Sequence, residues 1–278
     1  MSGARQALTR LRDRLRQESR LLVAFSGGAD SALLAAVAAE ALGDAALAVT
    51  AVSASLPERE RRSARRFARA NGIAHLEVAT DELEREDYVA NGPDRCYHCK
   101  SALFDALAPL RALTGAAVAL GTNLDDLGDH RPGQRAAAER GVIAPLVDAG
   151  FTKQLVREAS ALLGLGTADK PAAACLSSRI AYGDPVTTEA LARVEAAEDA
   201  VKDLGFPVVR VRAHADGTLA RIEVPAADIP RLTAHATAID RVVRGAGFSF
   251  CSLDLAGFTS GRMNVLIPAT ALTAPRPT

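Results

Sequence analysis

The sequence has no tryptophan and only 4% aromatic residues, so a hydrophobic core has to be built mainly from alanine, valine and leucine. Its four cysteines in 278 residues are too few for a disulfide framework, which favours a reducing compartment. It has no apolar run near the roughly 18 residues that a membrane span needs, and the first 20 residues lack the apolar centre of a signal peptide. We therefore expect a cytoplasmic protein with no membrane partner.

An excess of charge of one sign is also missing, since 33 lysines and arginines balance 33 acidic residues. Proteins that hold a nucleic acid along its length usually carry a basic excess, so we expect no nucleic-acid partner. With 49% hydrophobic and 24% charged residues, the chain is not mainly disordered. Its length favours one large and one small domain.

Short apolar runs alternate with helical segments from residue 21 to about residue 165. The runs predict buried strands at residues 21–25, 46–54, 74–79 and 116–121. This alternation predicts an α/β fold, a parallel sheet with helices on both faces. The polar segment at residues 81–95 contains Asn91-Gly92-Pro93 and predicts a loop.

The pattern changes near residue 181. A helix is predicted at residues 188–204 and another at 226–244, with a hairpin between them that turns at Asp216-Gly217. We expect a last strand at residues 247–253, which completes a smaller C-terminal α+β domain. The expected domains are residues 1–180 and 181–267, followed by a flexible tail at 268–278.

The string S-G-G-A-D-S at residues 26–31 follows the first predicted strand and precedes a helix. Glycines let backbone N–H groups turn toward an anion, and a helix N-terminus adds partial positive charge. Asp30 would repel a bare anion, but it suits a divalent cation that bridges a carboxylate and phosphates. The string predicts a phosphate site distinct from the ATPase P-loop, because no Gly-Lys-Ser/Thr follows.

A second polar string, G-T-N-L-D-D at residues 121–126, follows the fourth predicted strand. Its carboxylates reach the same sheet edge, which supports metal-assisted nucleotide chemistry. Lys153 and Arg157 share one face of a predicted helix whose N-cap is Thr152.

The cysteines leave several interpretations open. Cys96 and Cys99 form a C-x-x-C pair that could be a redox pair, a zinc half-site, iron–sulfur ligands or two inert thiols. Cys175 lies among small residues that would let a substrate approach closely. Cys251 alternates with phenylalanines in a predicted strand and is interpreted as structural.

The glycine string resembles the pyrophosphate loop of the ATP pyrophosphatase superfamily, whose members split ATP between the α and β phosphates. Longer strings resemble the LarE family more specifically, and the similarity runs from about residue 21 to residue 267. They are N-G-P-D-R-C-Y-H-C-K at 91–100, N-L-D-D-L-G-D-H-R-P-G at 123–133, P-A-A-A-C-L-S-S-R at 171–179 and L-D-L-A-G-F-T-S-G-R-M-N at 253–264.

This resemblance implies an adenine nucleotide α-hydrolase-like fold and an ATP-dependent sulfurtransferase that makes the nickel-pincer nucleotide. The implied substrate is pyridinium-3,5-biscarboxylic acid mononucleotide. Its carboxylates would be adenylated, with release of pyrophosphate and AMP, and converted to thiocarboxylates. The resemblance also implies a homo-oligomer, a hexamer in the family, together with a sulfide donor and a nickel-insertion partner.

Site residues follow from the motifs and the resemblance together. The residues assigned to ATP are Ala24, Ser26, Gly27, Gly28, Asp30, Ser31, Gly121, Thr122, Asp125 and Lys153. Asp30 and Asp125 are assigned to Mg²⁺, and Asp30 and Cys175 to catalysis. Arg210 and Arg212, which alternate along one strand face, are assigned to the substrate phosphate. Ser178 and Arg179 are assigned to other substrate contacts, and Glu198, Glu223 and Asp228 are weaker candidates for substrate or subunit contacts.

The resemblance allows two sulfur sources. In one branch of the family the residue matching Cys175 gives up its own sulfur and becomes dehydroalanine. In the other, three cysteines hold a 4Fe–4S cluster, and the presence of Cys96, Cys99 and Cys175 favours this branch. Rival interpretations are a tRNA thiolation enzyme, an amidotransferase-linked synthetase and a nucleotide-binding module without catalysis.

Overall fold

The structure is a computed structural model that describes residues 3–128, 132–171, 174–259 and 262–266. In chain order its elements are α1 (Gly3–Leu15), β1 (Leu21–Ala24), α2 (Ala29–Leu42), β2 (Ala46–Val52), α3 (Glu58–Ala70), β3 (His75–Ala79), α4 (Glu86–Val89), α5 (Arg95–Thr114), β4 (Ala117–Ala119), α6 (Pro132–Glu139), α7 (Pro145–Asp148), α8 (Lys153–Leu162), α9 (Thr188–Asp203), β5 (Arg210–His214), β6 (Leu219–Glu223), α10 (Ile229–Ala234), α11 (Ala236–Gly245) and β7 (Phe250–Leu253).

The described residues form two compact units. The first unit lies within Met1–Asp81 and Cys96–Ala173, and the second unit lies within Glu82–Arg95 and Ala174–Thr278. The chain therefore passes between the units three times, whereas the sequence predicts a single boundary at residue 180. The functional division into domains stays a prediction, and the predicted tail at 268–278 lies outside the described residues.

The first unit contains a four-stranded sheet in the order β3-β2-β1-β4, and every pairing in it is parallel. All four residues of β1 are buried, as expected for a central strand of a parallel sheet. This topology confirms the predicted α/β fold class.

Helices cover both faces of that sheet. Leu21 and Val23 belong to a hydrophobic cluster with residues of α1, α2 and α8. Leu22 and Ala24 belong to a separate cluster with residues of α5 and α6. Because neighbouring strand residues point to opposite faces, the two clusters show that β1 is covered on both sides.

The second unit contains a three-stranded sheet in the order β5-β6-β7. The predicted hairpin is confirmed, since β5 and β6 are antiparallel and Asp216 and Gly217 take positive φ angles between them. Helix α9 buries Leu191, Val194 and Val201, as its spacing predicts. The helix predicted at residues 226–244 is instead divided into α10 and α11 at His235.

The prediction of a loop at residues 81–95 is wrong in part. This segment contains α4, and helix α5 begins at Arg95. Tyr88 in α4 is 1% exposed, so burial of its ring holds a helical turn that local composition does not reveal. Asn91 then takes a positive φ of 56°, a conformation that asparagine tolerates better than most residues. Within the described ranges, no helix is both long and apolar enough to cross a membrane.

Candidate active site

The first unit places a glycine loop, residues 26–31, between the end of β1 and the start of α2. Gly27 has a φ of 72°, and a Cβ there would lie 3.0 Å from the Cβ of Ala64 on α3. Only glycine meets both the angle and the close approach. The loop conformation therefore depends on this residue.

Hydroxyl groups hold the loop closed. The Ser31 hydroxyl donates to the Gly28 carbonyl at 3.2 Å and lies 3.1 Å from the Ser26 hydroxyl. The first helical hydrogen bond of α2 runs from the Ala32 N–H to the Gly28 carbonyl. The preceding N–H groups of the helix have no intrahelical acceptor, which is the arrangement that binds phosphate at helix N-termini.

The segment after β4 approaches this loop closely. A Cβ on Gly121 would lie 2.8 Å from the Ser31 nitrogen, so only glycine fits there. Ala24 is the last residue of β1, and Thr122 follows Gly121. The residues that the sequence assigns to ATP from the two strings therefore lie at one edge of the sheet, where parallel sheets bind ligands.

Asp30 is the acidic side chain of the loop, and its Oδ1 accepts a hydrogen bond from Asn123 Nδ2 at 2.8 Å. Burial raises the pKa of Asp30, the Asn123 hydrogen bond opposes that shift, and the charge of Asp126 adds to it. Its ionised form is therefore disfavoured unless a cation lies nearby. Magnesium commonly uses one or two carboxylates and completes its coordination with phosphate oxygens and water, so this donor set fits Mg²⁺.

Asp125 and Asp126 have different surroundings. Asp125 Oδ2 accepts the Lys153 N–H at 2.6 Å, which places this carboxylate at the N-terminus of α8. Asp126 is buried and lies 3.3 Å from Lys153 Nζ. The sequence assigns Asp125 to the metal, but the carboxylate that acts electrostatically on Asp30 is that of Asp126.

Helix α8 begins as the sequence predicts. The Thr152 hydroxyl accepts the Leu155 N–H at 3.2 Å and confirms the predicted N-cap. Arg157, which shares a predicted helix face with Lys153, is exposed to solvent.

Sequence reasoning placed the Asp126 carboxylate at this edge of the sheet without giving it a separate role, and it missed Lys170 and Asn123 as site residues. Lys170 Nζ donates to the Gly27 carbonyl at 2.8 Å and lies 2.7 Å from Glu60 Oε2. A signal was present, because the chain has only four lysines and this one directly precedes the P-A-A-A-C-L-S-S-R string.

The second unit carries a cysteine turn, residues 175–179. The Cys175 carbonyl accepts three hydrogen bonds: from the Ser178 N–H at 3.1 Å, from the Ser178 hydroxyl at 2.8 Å and from Arg179 Nη1 at 2.9 Å. The hydroxyl oxygens of Tyr88 and Ser177 form a hydrogen bond at 2.5 Å. Arg95 donates to the Ser177 carbonyl at 2.9 Å. The turn that presents Cys175 is therefore fixed mainly through its backbone.

Arg179 is 2% exposed, and its Nε donates to Glu198 Oε1 at 2.8 Å. Glu198 is also buried and accepts the Val211 N–H at 3.2 Å, which ties the cysteine turn to β5. Burial acts to raise the pKa of Glu198, but the charge and hydrogen bond of Arg179, with the charge of Lys202, lower it overall. This geometry gives the predicted substrate contact Arg179 a positioning role in the unliganded protein.

The predicted phosphate ligands lie beside that pair. Arg212 donates to Glu223 Oε2 at 2.8 Å and to the Ser178 carbonyl at 2.9 Å. Arg210 lies 5.1 Å from the ring centre of Phe258, and burial together with the neighbouring Arg179 lowers its pKa to about 10. An arginine whose charge is destabilised in this way favours a bound anion such as phosphate.

The four cysteines all lie among the described residues, form no disulfide and have different settings. Cys96 and Cys99 lie near the start of α5 in the first unit, and Cys175 lies in the second unit. Among the described residues, no three cysteine, histidine or acidic side chains come together as a metal site. Burial raises the pKa of Cys251 in β7 and favours its protonated thiol.

Comparisons with known proteins identify the family of this chain. The asparagine synthase family model matches residues 4–119. The pyridinium-3,5-bisthiocarboxylic acid mononucleotide synthase of Lactiplantibacillus plantarum is 38% identical over 90% of this chain and 91% of that protein. The chain belongs to the LarE family. This LarE protein is an ATP-dependent sulfurtransferase with the pyrophosphate-loop fold.

Two further relatives also span most of this LarE chain. An uncharacterized protein of Synechocystis sp. is 44% identical over 92% of this chain and 96% of that protein. An uncharacterized protein of Methanocaldococcus jannaschii is 26% identical over 78% of this chain and 84% of that protein.

Proposed function

We propose that this enzyme adenylates the ring carboxylates of pyridinium-3,5-biscarboxylic acid mononucleotide and converts them to thiocarboxylates. The similarity over nine-tenths of both chains to the Lactiplantibacillus plantarum synthase carries the proposal. The arginines of β5 support it independently, because the buried Arg212 and the half-buried Arg210 suit the phosphate of a mononucleotide.

In the first step, a substrate carboxylate oxygen attacks the α-phosphorus of ATP, and the bond to the β,γ-pyrophosphate breaks. The glycine loop binds the pyrophosphate through its N–H groups and the Ser26 and Ser31 hydroxyls. Asp30 and a neighbouring carboxylate would hold Mg²⁺, which neutralises charge on the phosphates. Lys153 supports these carboxylates from the start of α8.

In the second step, a sulfur nucleophile attacks the acyl carbon of the adenylate, and AMP leaves with the electron pair of the broken C–O bond. Arg210 and Arg212 hold the substrate phosphate, and Ser178 and Arg179 fix the turn that presents Cys175. Two rounds give the bis-thiocarboxylate.

For the sulfur source, we propose a 4Fe–4S cluster held by Cys96, Cys99 and Cys175. Thiolates are the ligands such clusters prefer, and three of them leave one iron open to an additional sulfide. The alternative is that Cys175 supplies its own sulfur. Its thiolate would form a thioester with release of AMP, and loss of its α-proton would then break the Cβ–S bond and leave dehydroalanine. The partial exposure of Cys175 and its rigidly held carbonyl favour this alternative.

One experiment tests the function and the sulfur source together. Protein purified without air is analysed for iron and sulfide, then incubated with ATP and the biscarboxylated nucleotide. We expect AMP, pyrophosphate and a substrate mass gain from replacement of oxygen by sulfur. Absence of AMP would refute the function, and AMP release that needs tRNA would favour the thiolation rival. A colourless protein whose Cys175 loses the mass of H₂S after one turnover would establish the sacrificial alternative.

A variant separates the two steps. Cys175→Ala is expected to release pyrophosphate and AMP but to transfer no sulfur. Normal sulfur transfer by this variant would show that Cys175 has neither proposed role. We further propose a cytoplasmic homo-oligomer that receives sulfide from a donor protein and passes its product to a nickel-inserting enzyme.

A further inference from the structure

Lys170 is a partly buried cation next to the glycine loop. Its side chain is 16% exposed, and its ammonium donates to the Gly27 carbonyl at 2.8 Å. The same ammonium lies 2.7 Å from the Glu60 carboxylate, so its charge is balanced locally. Lys170 is 143 positions from Gly27 in sequence, and neither the motifs nor the family resemblance assigns it a role.

Helix α3 provides the other half of this arrangement. Glu60 and Ala64 are four residues apart and therefore lie on one face of the helix. A Cβ on Gly27 would lie only 3.0 Å from the Ala64 Cβ, and Glu60 holds Lys170 against the Gly27 carbonyl. The Gly27 backbone is thus restrained by van der Waals contact from one residue and by a charge-assisted hydrogen bond from another.

The restraint determines where the next N–H points. The Gly27 carbonyl and the Gly28 N–H share one planar trans peptide, so they point in opposite directions. While Lys170 holds the carbonyl, the Gly28 N–H must face the other side. On that side the Gly28 nitrogen lies 3.4 Å from the Ser26 hydroxyl oxygen. This is a weak contact that a phosphate oxygen would replace.

We propose that Lys170 is a positioning residue that fixes the Gly27–Gly28 peptide with its N–H directed toward the pyrophosphate of ATP. This inference rests on the proposed placement of the pyrophosphate at the glycine loop. Lys170 acts on the loop before ATP arrives, so ATP binds without first turning a peptide. Preorganisation of this kind improves affinity for the groups that contact the loop and leaves other groups unaffected.

The test compares nucleotides with and without the pyrophosphate. Titration calorimetry of Lys170→Met is expected to show about tenfold weaker ATP binding, equivalent to about 1.4 kcal/mol. Binding of AMP should change less than about twofold. Arg16→Met, which removes an exposed cation paired with Asp13 on α1, is the matched control and should alter neither affinity.

Hydrogen exchange in the absence of nucleotide provides the second measurement. Amides of residues 26–31 should exchange faster in Lys170→Met than in the parent protein, while amides of α9 in the second unit stay unchanged. Lys170→Arg keeps a donor and a charge, so it should restore part of the ATP affinity. Two results would overturn the inference. One is an equal loss of ATP and AMP affinity, and the other is an unchanged exchange rate of the loop amides in the nucleotide-free variant.

Ser31→Ala separates this inference from the proposed site. If Ser31→Ala weakens ATP binding and Lys170→Met does not, the role of Lys170 is refuted and the site stands. If neither variant affects ATP binding, both the site and the inference are refuted.

Discussion

The glycine loop and the cysteine turn are both short segments that present reactive groups, but they are held in different ways. The loop takes its shape mainly from glycine geometry, two hydroxyl groups and helix α2, which lie within a few residues of one another, and its Gly27 peptide also contacts the distant residues Ala64 and Lys170. The turn takes its shape from buried side chains that lie far away in sequence, including Arg95 and Glu198. Apart from Ala64 and Lys170, the loop should therefore tolerate changes elsewhere in the chain, whereas the turn depends on ionic pairs whose two partners must both be present.

The comparison predicts that one substitution in the loop removes the first chemical step without unfolding the protein. Asp30→Asn is expected to slow AMP formation at least about a hundredfold, because the cation would lose its carboxylate ligand. Since burial raises the pKa of Asp30, its charge opposes folding above that pKa, and the neutral variant should melt no lower at pH 8 without Mg²⁺. A Tm drop of several degrees would show that Asp30 is structural.

For the cysteine turn we expect the opposite result: a substitution lowers the stability of the folded protein and reduces sulfur transfer only as a consequence. Arg179→Met leaves Glu198 buried without its main partner and should cost about 3–5 kcal/mol in urea unfolding. The double variant Arg179→Met, Glu198→Gln should recover a large part of that cost, because it removes the unpaired charge. If the single and double variants are equally stable, the ion pair does not hold the turn.

Gly27→Ala tests whether the loop is limited by backbone geometry. The methyl group would meet Ala64 in a backbone conformation with positive φ, so a cost of about 1–2 kcal/mol is expected. ATP affinity should fall with it, whereas binding of the substrate nucleotide without ATP should not change. Gly72→Ala is the matched control, since Gly72 also has a positive φ but has open space around it. Equal losses of ATP affinity in the two variants would contradict a specific role for the Gly27 contact.

A surface cluster outside both regions should give the smallest effect. Arg61 and Arg65 lower the pKa of Glu77 in β3 to about 2 through hydrogen bonds, compared with an ordinary value near 4.5. Its contribution is therefore complete above pH 4.5 and is lost as the pH falls from about 4.5 through about 2. Glu77→Gln should lower Tm by less than about 3 °C at pH 7 and by clearly less at pH 2. A Tm difference that is undiminished at pH 2 would assign the effect to packing instead of charge.

The difference between contacts with neighbouring residues and contacts with distant residues explains which features the sequence could predict. The order of strands and helices, the glycine loop and the Thr152 cap depend on neighbouring residues, so local patterns identify them. The contacts of Tyr88 and Arg95 with Ser177 join residues 89 and 82 positions apart, and no local pattern specifies such partners. For the same reason, composition predicts a loop for residues 81–95, the segment that contains Tyr88 and Arg95. Which of Asp125 and Asp126 acts on Asp30 depends on side-chain direction, which composition does not encode.

The three passages of the chain between the two units have a consequence for synthesis. Residues 82–95 leave the ribosome early, yet the rest of their unit begins only at residue 174. The segment that holds the cysteine turn must therefore wait, without its packing partners, while most of the remaining first unit is translated. The second unit accordingly completes only near the end of translation, and a gene cut at residue 180 would encode the first unit in full but would divide the second unit between the two pieces.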